Sequence, residues 1–355
     1  MGVLSTEKVG RNTADDELRK LLESKKANIK IIGCGGSGNN TITRLMQVGV
    51  VGAETVALNT DAQDLLYTDA DVKVLIGKEL TGGLGAGADP KIGEEAAKET
   101  RNELKKRIEG ADLIFVTCGL GGGTGTGSAP IAADIAKKGG ALTVGVVTLP
   151  FTMEGKQRME NARGGLEKLR NAVDTLIVIP NDRLLDIVPD VSIQTAFKIA
   201  DEVLVNAVKG ITELITRPGL VNLDFADVRA VMKEAGFAMI GMGDSDGDNR
   251  ALEAVERALN NPLLNVEIDG ARGALINVTG GTDITTKECR DIVEAVATRL
   301  SPDAKIIWGA QILKELGETI RAMVIVTGVS SPHAQLIASK SGKEVENVLG
   351  IDFLK

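Results

Sequence analysis

The apolar positions of this chain fall into two rhythms that alternate through its first half. Short apolar runs of strand length occur at "NIKIIG", "ETVALNT", "KVLIG", "ADLIFVTCG", "ALTVGVVTLP" and "DTLIVIPN". Between most of them lie segments of helical period, such as "GEEAAKETRNELKKRIEG" and "APIAADIAKKGG". Strands that are apolar on both faces and alternate with helices predict a mainly parallel α/β sheet with helices on both faces. Sheets of this kind bind ligands at the carboxyl ends of their strands. From Ser192 to Thr216 the helical period then runs on without a break, with Ile193, Phe197, Ala200, Leu204 and Val208 along one stripe. Pro218 and Gly219 stop it.

The second half reads differently. Strand-like "FAMIGMG", "GALINVTG", "AKIIWGA" and "TIRAMVIVTG" flank helical stretches near 248–260 and 285–300. The latter opens on Thr285 and Glu288, the spacing of a capping box. This is the pattern of a smaller α+β unit. Beyond about residue 330 the pattern fades into a polar tail with the acidic and apolar stretch "LGIDFLK". The first 28 residues are rich in charge, with a short amphipathic stretch through Leu18, Leu21 and Leu22. The opening "MGVLST" fits a loose N-myristoylation pattern at Gly2, one that is common by chance.

Composition narrows the chemistry. With 43% hydrophobic and 25% charged residues in 355, the chain has the balance of an ordinary globular protein large enough for two domains. No stretch approaches the apolar length of a membrane span, so direct membrane insertion is not expected. A net charge of −8 and only eight aromatic residues argue against a nucleic-acid groove. His333 is the one histidine, which leaves no place for a histidine triad or a zinc site. Cys34, Cys118 and Cys289 lie far apart in the sequence and read as reduced, partly buried thiols.

Three glycine-rich stretches remain to be explained. "IIGCGGSGNN" holds G-x-G-x-x-G at Gly33, Gly35 and Gly38, after a strand and before a helix. Alone it would suit a dinucleotide-dependent oxidoreductase, with Asp61 as the ribose ligand. It is followed, however, by "TGGLGAGADP" at 81–90 and by the still barer "GLGGGTGTGSAP" at 119–130. With six glycines and two threonines in nine positions, Gly119 to Gly127 reads as a loop. The helix is expected after it, with Ser128 as cap and Pro130 in the first turn. Three amide-rich loops suit a nucleoside triphosphate better than a dinucleotide. No G-x-x-x-x-G-K-[ST] motif is present, so the phosphates would be held by main-chain N–H groups and threonine hydroxyls.

"GGGTGTG" at 121–127 resembles the phosphate-binding motif of the tubulin/FtsZ family. "GCGGSGNN", "NTDAQ", "GLGAGADP", "PFTMEGKQR", "IPND", "FKIADEVL" and "NLDFADV" stand around it in the order and spacing of FtsZ, the tubulin-like prokaryotic cell-division GTPases. The resemblance runs over roughly residues 29–330. It implies a Rossmann-like GTP-binding domain (29–191), a central connecting helix (192–216) and a C-terminal α+β domain (217–330), with an N-terminal extension (1–28) and a tail (331–355). Gly35, Gly36, Ser37, Gly38, Asn39 and Asn40 would contact phosphate and nucleoside, as would Gly122, Gly123, Thr124, Gly125, Thr126 and Gly127. Ala86 and Gly87 would approach the terminal phosphate, and Glu154 and Arg158 the ribose and phosphates. Asn181, Phe197 and Asp201 would read guanine. Taken singly, Glu154 and Arg158 suit a surface ion pair, Phe197 core packing, and Asp201 a solvated helix face. The implied ligands are GTP and GDP, with Mg2+ held mainly through phosphates and water and no protein metal ligand.

"NLDFADV" is the implied catalytic segment, through Asn222, Asp224 and Asp227. A plain alternative is that Asp224 caps a helix and Asp227 complements its dipole. The segment follows the central helix, whose 25 residues carry the chain about 37 Å from the nucleotide end. The carboxylates are therefore expected to serve a neighbouring subunit. The resemblance implies head-to-tail filaments, hydrolysis at the subunit contact, a cytoplasmic location at the mid-cell division ring, and membrane-adaptor or regulator proteins reached through the tail. A filament protein of the same superfamily that serves cell shape is the alternative.

Overall fold

The structure, a computed structural model, describes residues 27–187, 192–217, 219–221, 223–261 and 271–329. The expected N-terminal helix, the myristoylation pattern, Asn222, His333 and the tail lie outside these residues. All ten apolar runs form strands. In chain order these are β1 (Ile29–Cys34), β2 (Ala53–Asn59), β3 (Val72–Leu75), β4 (Leu113–Gly119), β5 (Leu142–Leu149), β6 (Thr175–Pro180), β7 (Gly236–Ser245), β8 (Gly273–Gly280), β9 (Lys305–Ile312) and β10 (Ile320–Thr327). The first six are parallel in the order β3-β2-β1-β4-β5-β6. Every residue of β5 is buried, as expected of a strand covered on both faces.

The second half does not begin a new sheet. β7 adds in parallel to β6 through Thr175↔Gly236, Leu176↔Phe237 and Ile177↔Ala238. β10 and β8 then follow antiparallel, and β9 pairs in parallel with β8. One ten-stranded sheet thus spans both halves of the described chain.

The helices are α1 (Gly35–Gln47), α2 (Ala62–Tyr67), α3 (Lys78–Thr81), α4 (Pro90–Glu99), α5 (Arg101–Ile108), α6 (Thr124–Lys138), α7 (Lys156–Ala172), α8 (Asn181–Ile187), α9 (Ile193–Thr216), α10 (Phe225–Met232), α11 (Arg250–Leu259) and α12 (Thr286–Ala297). The Thr285–Glu288 capping box forms as the sequence predicts. The apolar stripe of α9 drives it into a core shared by both halves. Leu204, Val208 and Ile211 are fully buried there with Ile31 and Phe115 from the first half and Leu275 and Ile325 from the second. Burying each such side chain stabilises the fold by about 1.5–3 kcal/mol. The stripe departs from expectation at Phe197, which is 41% exposed. Its neighbours Ala196 and Ala200 are buried, so the ring stands on the outer side of this part of α9.

The course of α9 decides what the two ends of the sheet carry. At its start Phe197 lies edge-on against Phe151, just past the carboxyl end of β5, with ring centroids 5.2 Å apart. At its end the Thr216 hydroxyl donates to the carbonyl of Val51, beside the amino end of β2 (2.9 Å). Its 24 residues span about 36 Å. α10 stays at the amino ends. The Met232 carbonyl accepts from the hydroxyl of Thr175, the first residue of β6, and Gly236 N–H donates to Asp174 O (3.0 Å).

All three cysteines are buried and free. Cys34 and Cys118, distant in sequence, lie at the carboxyl ends of the neighbouring strands β1 and β4, Cys34 as the last residue and Cys118 as the last but one. Burial pushes the Cys34 thiol up to about 12 and raises Cys118 as well, so neither is a ready nucleophile. Among the described residues no helix is long and apolar enough to cross a membrane.

Candidate functional site

The three glycine-rich segments meet at the carboxyl ends of β1 and β4. A Cβ at Gly35 would stand 2.7 Å from Gly125 N, and Gly35 itself has φ +69, so only glycine fits where the first two segments touch. A Cβ at Gly123 would stand 2.9 Å from both Ala86 Cβ and Asp89 N, which brings the third segment against the second. The Thr60 and Thr124 hydroxyls share a hydrogen bond of 2.6 Å, and Gly85 N–H donates to Thr60 O at 3.1 Å.

The helix after "GLGGGTG" starts earlier than the sequence suggested. α6 begins at Thr124, so Gly125, Gly127 and Ser128 lie within it, and Pro130 is interior rather than in its first turn. Ser128 is no cap; its hydroxyl donates to Thr124 O one turn back (2.6 Å). Packing outweighs the low helix propensity of glycine here. A Cβ at Gly127 would meet Pro90 O at 2.2 Å and Glu94 N at 2.4 Å, so α6 can lie against α4 only without side chains. Pro130 forgoes one bond, to the carbonyl of Thr126, whose hydroxyl accepts from Gly121 N (2.9 Å).

The helix starts define what this end can bind. α1 follows Cys34 and α6 follows Gly123, and neither has a side-chain cap bond or an acidic residue in its first turn. Their leading N–H groups and positive dipole ends therefore suit an anion. Nearby α2 and α4, by contrast, are capped by the carboxylates of Asp61 and Asp89. Asp61, which a dinucleotide site would place on a ribose, is committed to Gln63 N (2.9 Å) and Asp64 N (3.1 Å). Gly36 and Asn40 are exposed, Ser37 partly exposed, and Gly38 and Asn39 buried. Asn39 is 1% exposed, and its side-chain oxygen and nitrogen both lack a hydrogen-bond partner among the described residues. Buried amides of that kind call for a further partner. Ala86 is buried and Gly87 exposed.

Glu154 and Arg158 form the ion pair that their spacing allows. The other Glu154 oxygen accepts from Phe151 N (2.8 Å), which fixes the pair at the carboxyl end of β5. Asn181, first residue of α8, is 5% exposed with its Oδ1 unpartnered among the described residues. Phe197 and Asp201 share a face of α9 one turn apart. Asp201 is half-buried, and its carboxyl is pushed up to about 6 by burial, against the pull of Arg44 and with the help of Glu202. An exposed ring, an unpartnered amide oxygen and a carboxyl short of donors together suit a planar base rich in N–H groups.

Two contributors escaped the sequence reading. Asp182 accepts from Thr152 N (3.0 Å) and from the Thr152 hydroxyl (2.6 Å), tying "IPND" to "PFTMEGKQR"; its place beside Asn181 in a quoted motif was the available signal. Asn161, in mid-α7, donates to Ala88 O (3.2 Å) and Gly121 O (3.3 Å), and no motif marks it.

The other predicted residues are not here. Asp224 and Asp227 sit at the start of α10, beyond the far end of α9. Asp224 is exposed and caps the helix, accepting from Asp227 N at 2.8 Å. The plain alternative is thus realised, and it leaves both carboxylates in reach of solvent.

Comparisons with known proteins agree with this geometry. Residues 28–189 match the model of the Tubulin/FtsZ family, GTPase domain, and residues 236–330 that of the FtsZ family, C-terminal domain. Over 320 residues the chain is 61% identical to "Cell division protein FtsZ 1" of Thermococcus kodakarensis, covering 90% of this chain and 86% of that protein. Among solved structures, "FtsZ dimer, empty" of M. jannaschii superposes with a TM-score of 0.87 at 60% identity, covering 91% and 94% of the two chains. "CetZ1 from Haloferax volcanii - GDP bound monomer" superposes with a TM-score of 0.77 at 25% identity, covering 88% and 98%.

Proposed function

The chain belongs to the FtsZ family of cell-division GTPases, and from that premise we propose that it hydrolyses GTP at the contact between successive subunits of a head-to-tail filament. The observation that carries this reading is the separation of the two halves of the site. The uncapped helix starts lie at the carboxyl ends of the strands, and Asp224 and Asp227 at the other end of a helix about 36 Å long. Neither half can complete the other within one subunit.

In this reading the N–H groups of residues 35–40 and 122–127, with the hydroxyls of Thr124 and Thr126, hold the phosphates, while Ala86 and Gly87 border the terminal one. Glu154 and Arg158 flank the ribose. Asn181, Phe197 and Asp201 take the guanine, Asp201 accepting from its N1–H and N2–H groups, a donor pair that adenine lacks. A Mg2+ ion accompanying the nucleotide would take its ligands mainly from phosphate oxygens and water, and would supply charge neutralisation. Asp224 and Asp227 of the adjoining subunit, with Asn222, orient and polarise a water for attack on the γ-phosphorus as the bond to the β-phosphate oxygen breaks. Phosphoryl transfer needs little covalent help, so positioning dominates. A contact that repeats without closing builds a filament.

The filament would serve the division ring on the cytoplasmic side at mid-cell, with adaptors engaging the tail at 331–355. Identity of about 60% to relatives named cell division protein FtsZ 1 favours this over the cell-shape alternative. The test is phosphate release per subunit across nanomolar to micromolar protein. A steep rise with concentration is expected, and a flat profile would refute catalysis across a contact.

A further inference from the structure

Asn161 lies outside every segment assigned above, yet its one side-chain amide reaches two of the three loops. Through Nδ2 it donates to Ala88 O at 3.2 Å and to Gly121 O at 3.3 Å, using both amide hydrogens on carbonyls of different segments. The two acceptors are held unequally. Gly121 is fixed from its other side, because its N–H donates to Thr126 Oγ1 inside α6. The segment carrying Ala88 is held on its inner side, where buried Ala86 lies against Gly123 and accepts from Asp89 N (3.0 Å), while Ala88 itself is exposed. Gly87 and Ala88 have φ of +56 and +61 in succession, and for Ala88 this is a conformation costly to a residue with a Cβ. Behind the segment lies a cavity of about 500 Å3, bordered by Gly87, Ala88, Asp89, Gln157 and Lys168 as well as Asn161 itself. Two links join α7 to this side of the cavity, the Lys168–Glu94 ion pair onto α4 and the Asn161 amide, and it is Asn161 that reaches the Ala88 carbonyl.

We propose that Asn161 is a positioning residue that holds the Ala86–Asp89 segment against the second glycine-rich loop, and so sets how strongly the site prefers a nucleoside triphosphate over a diphosphate. The inference deepens the reading above and rests on it, since Ala86 and Gly87 are there assigned to the terminal phosphate. The α- and β-phosphates face the uncapped helix starts, which do not depend on Asn161. Its effect therefore falls on the phosphate that only the triphosphate has.

The test measures GTP and GDP affinity of the full chain at dilution where it is monomeric, for wild type, Asn161→Ala, Asn161→Asp and Asn161→Gln. Losing both bonds should weaken GTP about 10-fold in Asn161→Ala. GDP affinity should change less than about 2-fold, which also reports an intact fold. Asn161→Asp sets a carboxylate against two carbonyl oxygens and should weaken GTP further. Asn161→Gln keeps the donor and should recover part of the preference. Equal loss for GTP and GDP, or no loss for either, would overturn the role of Asn161 while leaving the nucleotide site standing. A wild-type protein that binds neither nucleotide would overturn both.

Discussion

At the carboxyl ends of β1 and β4 the chain passes from strand into helix on glycine, and leaves the starts of α1 and α6 without a side-chain cap. At the amino ends it starts α10 on Asp224, which caps the helix with its own carboxylate and carries Asp227 in the first turn. The first two starts thus offer main-chain donors with no acidic residue in the first turn, and the third offers anions already partly used by their own backbone. The difference teaches that a helix start is a binding site only where the sequence withholds the cap. On the proposed reading it also accounts for the division of the site: main-chain donors would hold phosphates but supply no base, and the acidic segment would supply one but repel them.

The comparison breaks first at Asp224. Asparagine caps a helix about as well as aspartate, so Asp224→Asn should melt within about 0.5 kcal/mol of wild type and keep nucleotide binding, while hydrolysis falls about 10²-fold or more. Matched thermal melts, nucleotide titrations and phosphate-release rates check this. Unchanged turnover would reduce Asp224 to a cap. At the opposite end, Gly35→Val puts a branched side chain where φ is +69 and Gly125 N is 2.7 Å from any Cβ. A stability loss of about 1–3 kcal/mol and the loss of nucleotide binding are expected. A stable variant that still binds would show that the first two loops need not touch.

The smallest effect is the pH dependence of guanine binding. Asp201 must be ionised to accept N–H donors, and burial has pushed it up to about 6. Affinity for GDP should therefore level off above about pH 7 and fall about fivefold between pH 6 and pH 5 as the carboxyl takes a proton. Asp201→Asn should bind weakly at every pH and show no such drop, so the difference between the two profiles separates Asp201 from titration of the phosphates. Parallel profiles would remove Asp201 from base recognition.

The strands were open to reading because a run such as "ALTVGVVTLP" is apolar on both faces, a local property that needs no partner to be seen. So was the capping box at Thr285, which is complete within four residues. The start of α6 was not. Glycine is a poor helix former by itself, and only the nearness of Pro90 and Glu94 to Gly127 makes it the one residue the helix can carry there. The exposure of Phe197 was hidden for a related reason, since its stripe is continuous in sequence and periodicity alone does not say which of its members meets the core. Asn161 carried no local sign, because its two acceptors lie 73 and 40 residues away.

The sequence by itself determined which segments form strands and helices, where bare backbone meets the strand ends, and that carboxylates begin the helix after α9. Those are properties of short stretches, set by periodicity, caps and the absence of Cβ atoms. Only the tertiary structure decided that loops 35, 86 and 123 touch and that Asn161 bridges two of them. Each of these depends on distances between residues remote in the chain, and such distances exist only once the sheet has fixed its order.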